Sequence, residues 1–119
     1  MPDFQGLAVW RKAHELTLLV YQLTHELPQD EKYGLISQMR RAAVSIAANI
    51  VEGHARQSQQ DFARFISIAL GSAAELEYLL LLARDLGYLT DADIHQASSD
   101  AAGLIRMLRT LHKELTKDS

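Results

Sequence analysis

Apolar residues recur along the chain at intervals of three and four, and no stretch shows the period of two that a half-buried strand requires. The first periodic segment carries Val9, Ala13, Leu16, Val20, Leu23 and Leu27, and Pro28 stops it because a proline ring cannot continue a helix interior. A helix over about residues 7–27 is predicted. A second segment opens between Asp30 and Leu35, with Asp30 and Glu31 placed to favour the positive end of its dipole, and closes at Gly53; we place it at about 31–53. Ser58 stands three residues before Asp61, and Thr90 three before Asp93, so each hydroxyl is placed to accept from an orphan amide at a helix start. With Gly87 as a C-terminal stop, these caps predict a third helix over 59–87 and a fourth over 91–116. In the fourth, Ile94, Ala97, Ala101, Leu104, Leu108, Leu111 and Leu115 step by three and four, the spacing of a left-handed packing seam. Four long helices with short connections predict an all-α fold, an antiparallel up-down-up-down four-helix bundle forming one domain over residues 1–119.

The second helix has more apolar surface than one core requires. Leu35, Met39, Ala42, Ala43, Ile46 and Ile50 form one face, and Ile36, Val44, Ala47 and Val51 widen it to roughly 200° of arc. A bundle helix shows a stripe nearer 100° wide, so a second copy of the chain is expected to cover the surplus, the alternative being a second helix that is central and well buried within one chain. The rest of that helix is a polar stripe of Gln38, Arg41, Ser45, Asn49 and Glu52, each within a turn of the next. Gly71 and Gly103 lie inside the third and fourth helices, where glycine costs about 1 kcal/mol relative to alanine, and tight helix contacts are expected at both.

Composition changes this picture mainly by exclusion. There is no cysteine, which removes disulfides and thiolate chemistry. The N-terminal residues lack the charged-then-apolar pattern of a secretory signal, and the longest apolar run, YLLLLA, is far short of the roughly 18 residues that cross a bilayer, so a cytoplasmic protein without membrane contact is expected. Formal net charge is −3, an acidic balance that does not advertise nucleic acid. None of the seven glutamates is followed three residues later by histidine, as a di-iron bundle needs, and the HEL tripeptides at His14 and His25 lack the second histidine of a zinc protease helix. Neither a nucleophile elbow nor a phosphate-binding glycine loop occurs, and a protein without catalytic residues, cofactor or metal is expected.

The candidate chemistry is the pair Arg40 and Arg41. One reading is structural: the pair meets Glu75, Glu52 or Glu77 within the bundle or across a subunit contact, with Glu75 on the shoulder of the third helix as the favoured partner. The other is phosphate binding, in which a ring of subunits multiplies two charges into a basic patch. Both fit, because adjacent helical residues point about 100° apart.

The stretches FQGLAVWRKAHEL, RRAAVSIAANIVEGHAR and ALGSAAELEYLLLLARDLGYL resemble, across essentially the whole chain, the bacterial four-helix bundle family named for proteins encoded in intervening sequences of 23S ribosomal RNA genes. The resemblance rests on Trp10, Lys12 and Ala13, on Arg40, Arg41, Ser45, Ile46, Asn49, Ile50, Glu52 and Gly53, and on Gly71, Ser72, Glu75 and Leu76. It implies a homopentamer without catalytic activity or cofactor. A related branch, the accessory protein of diversity-generating retroelements, implies association with a reverse transcriptase and with nucleic acid, so RNA or a nucleic-acid enzyme is the expected partner class of a scaffold or accessory factor. Ala47 stands where the family's second helix commonly has proline.

Overall fold

Each of the four periodic segments is a helix: α1 spans Ala8–Thr24, α2 Leu35–His54, α3 Gln59–Asp85 and α4 Asp91–Thr116, in a computed structural model that describes residues 3–117. No strand occurs among the described residues. Helix α1 packs against α2 and α4, and α3 packs against the same two, so the helices run up, down, up and down around one core. The molecule measures 46 × 21 × 20 Å.

The capping signals act as their chemistry requires. Ser58 Oγ accepts the Asp61 amide at 3.0 Å, and Thr90 and Asp93 form a reciprocal box in which each side chain accepts the other's backbone N–H, at 3.0 and 2.9 Å. At the end of α3, Gly87 adopts φ +84°, a left-handed conformation that costs glycine little. The Tyr88 amide then donates to the Ala83 carbonyl at 3.0 Å and the Gly87 amide to that of Arg84 at 2.9 Å, which satisfies two carbonyls of the last turn.

Four expectations about the helix ends are corrected. Helix α3 ends at Asp85 rather than 87. Helix α1 ends at Thr24 rather than 27, because His25, Glu26 and Leu27 donate to carbonyls three residues back and tighten the chain before Pro28. Helix α2 starts at Leu35, not 31, since Gln29–Glu31 form a separate 3-10 turn. Gly53 does not stop α2, which continues to His54. It lies buried where α2 meets α3, and a Cβ placed there would sit 2.8 Å from both Phe62 Cδ1 and Phe65 Cβ. Helix α2 passes through Ala47 without a break.

The core draws on every helix. Leu16 and Val20 of α1, Met39, Ile46 and Ile50 of α2, Ile66, Leu76 and Leu80 of α3, and Leu104 and Leu108 of α4 are all less than 2% exposed. Each such side chain contributes about 1.5–3 kcal/mol relative to exposure. In the α4 seam, Ile94 to Leu108 are buried, Leu111 and Leu115 pack partly against the core, and Ile105 joins from beside the seam. By length and composition α3 could cross a bilayer, with a mean hydropathy of 1.6 over 18 residues, which the longest-run criterion missed. Its buried residues from Ala63 to Ala83 instead face the other helices of the bundle.

Candidate functional site

Arg40 and Arg41 leave α2 in different directions, and only one of them is bound. Arg40 turns toward α1, where its Nε donates to Thr24 Oγ1 at 2.8 Å and its Nη2 to the Tyr21 carbonyl at 3.5 Å. Its guanidinium lies 4.5 Å from the centroid of the Tyr21 ring. Thr24 is 1% exposed and donates its own hydroxyl proton to the Val20 carbonyl at 2.9 Å, so it can accept from Arg40. The last turn of α1 contains no basic residue, and Arg40 brings a positive charge to its negative end from the neighbouring helix. The expected pairing of Arg40 with Glu75 is therefore not made within the chain.

Arg41 is exposed and makes no side-chain hydrogen bond or ion pair among the described residues. It stands between two open grooves. One, of about 660 Å³, runs between α1 and α2 past Tyr21, Tyr33, Arg40 and Val44; the other runs between α2 and α3 past Gln38, Ser45, Ser72 and Glu75. Glu75 lies across the second groove from Arg41 without an ion pair at 4.0 Å or less, and it is exposed, so water screens it and it needs no cation inside the chain.

The polar stripe divides in the same way. Ser45 Oγ hydrogen-bonds Ser72 Oγ at 2.8 Å across the α2–α3 contact, and Asn49 Nδ2 donates to the Ser45 carbonyl at 2.8 Å and to Ser45 Oγ at 3.1 Å. A partly buried hydrogen bond of this kind contributes about 0.5–1.5 kcal/mol and fixes the register of the two helices. Gln38 and Glu52 are exposed and make no side-chain bond among the described residues. Within the chain neither glycine makes the tight contact expected of it: a Cβ at Gly71 would meet nothing within 4 Å, and one at Gly103 only Arg106 Nη2 at 3.6 Å.

One polar link joins two connections and has no periodic signal. Tyr88, after α3, donates its phenol proton to Glu31 Oε2 at 2.8 Å, while Glu31 Oε1 accepts the Leu35 amide at 3.1 Å and so caps α2 from the turn before it. The Leu35 amide first and the Tyr88 hydroxyl second hold the Glu31 carboxyl below its ordinary value, and the same carboxylate raises the Tyr88 phenol. Tyr88 is thus half-buried, whereas Tyr33 is 89% exposed as its place in a connection suggests.

The exposed large apolar side chains belong to α1, α2, α3 and the connections beside them. Leu18, Tyr21, Tyr33 and Val44 border α1 and α2, and Ile68, Tyr78, Leu81 and Leu86 lie along α3 and at its end; among the described residues α4 has none. Of the residues that widen the apolar arc of α2, Ile36 is buried and Ala47 partly packed within the chain, while Val44 is 43% exposed.

Comparison with known proteins gives a consistent picture. No curated protein matches the sequence. Among solved structures, a crystal structure of a protein of unknown function from the S23 ribosomal protein family of Bacteroides thetaiotaomicron VPI-5482 superposes with a TM-score of 0.83 at 30% identity, covering 89% of this chain and 99% of that one. The family described as 23S rRNA-intervening sequence protein matches residues 5–110. With the match covering α1 to α3 and most of α4 and the bundle reproduced, the chain belongs to the 23S rRNA-intervening sequence protein family.

Proposed function

We propose that the protein is a non-enzymatic scaffold that works as a homo-oligomer, with its copies joined through the α1–α2 border of one and α3 of the next. The observation that carries this reading is that exposed large apolar residues, from Leu18 to Leu86, occur on α1, α2, α3 and their connections and, among the described residues, not on α4. Tyr21, Tyr33 and Val44 line one open groove, and exposed apolar side chains grouped in this way mark contact surfaces. The two groups differ in sequence and in place, so a contact between them is head-to-tail, and such a contact gives a ring when its rotation closes. The resemblance favours five copies. Arg41, unbonded between the two grooves, and Glu75, exposed on α3, are the charges we assign to that contact, whereas Arg40 serves α1 of its own chain. The family description supports an RNA setting for the scaffold, with RNA or an enzyme acting on it as client.

Native mass spectrometry tests the assembly. A particle near five times 13.3 kDa is expected, and Val44→Asp or Tyr78→Asp, each on a different side of the contact, should reduce it to single chains with unchanged helical content. A wild-type sample that stays folded at 13.3 kDa across the micromolar range would overturn the reading.

A further inference from the structure

We propose that the outer face of α4 docks the phosphate backbone of a nucleic acid through Arg106, Arg109, Lys113 and Lys117. Residues 91–100 contain three aspartates and no lysine or arginine, while residues 101–119 contain these four cations and two acids, Glu114 and Asp118. An acidic chain thus concentrates positive charge in half of one helix. The cations follow one another at three, four and four residues, which places them along one side of the helix over about 16 Å. All four are exposed.

Among the described residues nothing within the chain explains this arrangement. The helical neighbours of Arg109 are Arg106 and Lys113, and that of Lys113 toward the C-terminus is Lys117, so like charges stack where opposite charges would stabilise. The helix dipole favours cations in the last turn, which accounts for Lys113 and Lys117 but not for Arg106 and Arg109, two turns or more before Thr116. Three acids lie nearby. Glu77 of α3 shares a groove with Arg106 and Arg109 without an ion pair, Asp100 accepts from Gln96 at 2.8 Å, and Glu114 pairs only with Lys117 at 3.8 Å. Lys12 of α1 adds a cation on the other flank, in the groove it shares with Arg106. Gly103 has no side chain to lift the Arg106 guanidinium, whose Nη2 would lie 3.6 Å from a Cβ there.

The chemistry of the face selects the partner. Ser99, Ala102, Gly103 and Thr110 lie among the cations, with no aromatic ring to stack on a base and no large apolar wedge to enter a bilayer. A line of exposed cations with small neutral residues between them matches a linear polyanion, bound through phosphates and without sequence preference. Among the described residues α4 itself carries no exposed large apolar side chain, and none of its four cations is among the residues we assign to the subunit contact. The inference names a surface for the RNA setting proposed above, but it rests on the charges of α4 and is tested apart from assembly.

Fluorescence anisotropy with a labelled single-stranded RNA of about 20 nucleotides measures the contact directly, and four phosphates per chain predict a slope of log affinity against log salt of about −3. The combined variant Arg106→Gln, Arg109→Gln and Lys113→Gln should weaken binding at least tenfold, with circular dichroism and native mass unchanged. A control with three cations removed elsewhere, Arg11→Gln, Arg56→Gln and Arg64→Gln, should stay near wild type. Equal loss in the control, or undiminished binding by the α4 variant, overturns the proposal. So does binding to phosphatidylserine vesicles with none to RNA. Failure here with the oligomer intact leaves the scaffold reading standing.

Discussion

Gly53→Ala should destabilise the bundle, although the same change improves a helix in most places. In a helix interior the substitution gains about 0.8–1 kcal/mol of intrinsic propensity, and about half of that so near the end of α2. Against it stands a new methyl group 2.8 Å from Phe65 Cβ and from Phe62 Cδ1. The Phe62 ring can turn aside, but a Cβ moves only with its backbone, so α3 must shift away from α2. Overpacking of this kind costs about 1–3 kcal/mol, which leaves a net loss of about 1–2 kcal/mol. For a domain of this size that is a fall in Tm of about 4–10 °C. Gly71→Ala is the matched control, since a Cβ there meets nothing within 4 Å, and it should raise stability by about 0.5–1 kcal/mol. Urea titrations followed by circular dichroism, with native mass recorded for each variant, give both values. The reasoning is refuted if the two glycine variants shift the midpoint in the same direction by similar amounts.

Three further outcomes follow from the bonds described. Arg40→Ala removes the donor to Thr24 and should cost about 1–2 kcal/mol in chemical denaturation, whereas Arg41→Ala should change the stability of the fold by less than about 0.5 kcal/mol and act on native mass instead. Because the Glu31 carboxyl is held below its ordinary value of 4.5, its contribution is fully present above that pH and is lost as pH falls through the lowered value; Glu31→Gln should flatten that part of a thermal-melt profile against pH. Thr90→Ala opens the reciprocal box at the start of α4 and should cost about 1 kcal/mol by the same titration, with Thr90→Gly costing less than Thr90→Ala.

The helices were legible because each has a periodic apolar face and three of their ends carry local chemistry: Ser58, Gly87 and Thr90 act through atoms within four residues. The start of α2 was less so, because its acids belong to a separate turn and Glu31 reaches forward to cap the helix from outside it. The partners of the arginines were hidden for a different reason. Periodicity gives the direction of a side chain around its own helix, but which neighbour stands on that side depends on the handedness of the bundle. Arg40 thus faces Thr24 and Tyr21 of α1, where the expectation looked to Glu75 of α3. The glycines inverted for a similar reason: Gly53, beside the end of α2, is the site of close approach, while Gly71 and Gly103 face outward. Ser72 as the partner of Ser45, and Tyr88 as the partner of Glu31, join residues far apart in sequence and leave no local pattern to read.

The bond from Tyr88 to Glu31 fastens two loops whose residues lie 57 positions apart. Breathing of one loop therefore releases its anchor on the other, and this end of the molecule should open as a unit while the Ser45 and Ser72 seam keeps α2 and α3 in step. A protease that nicks either loop would then find the other already loosened.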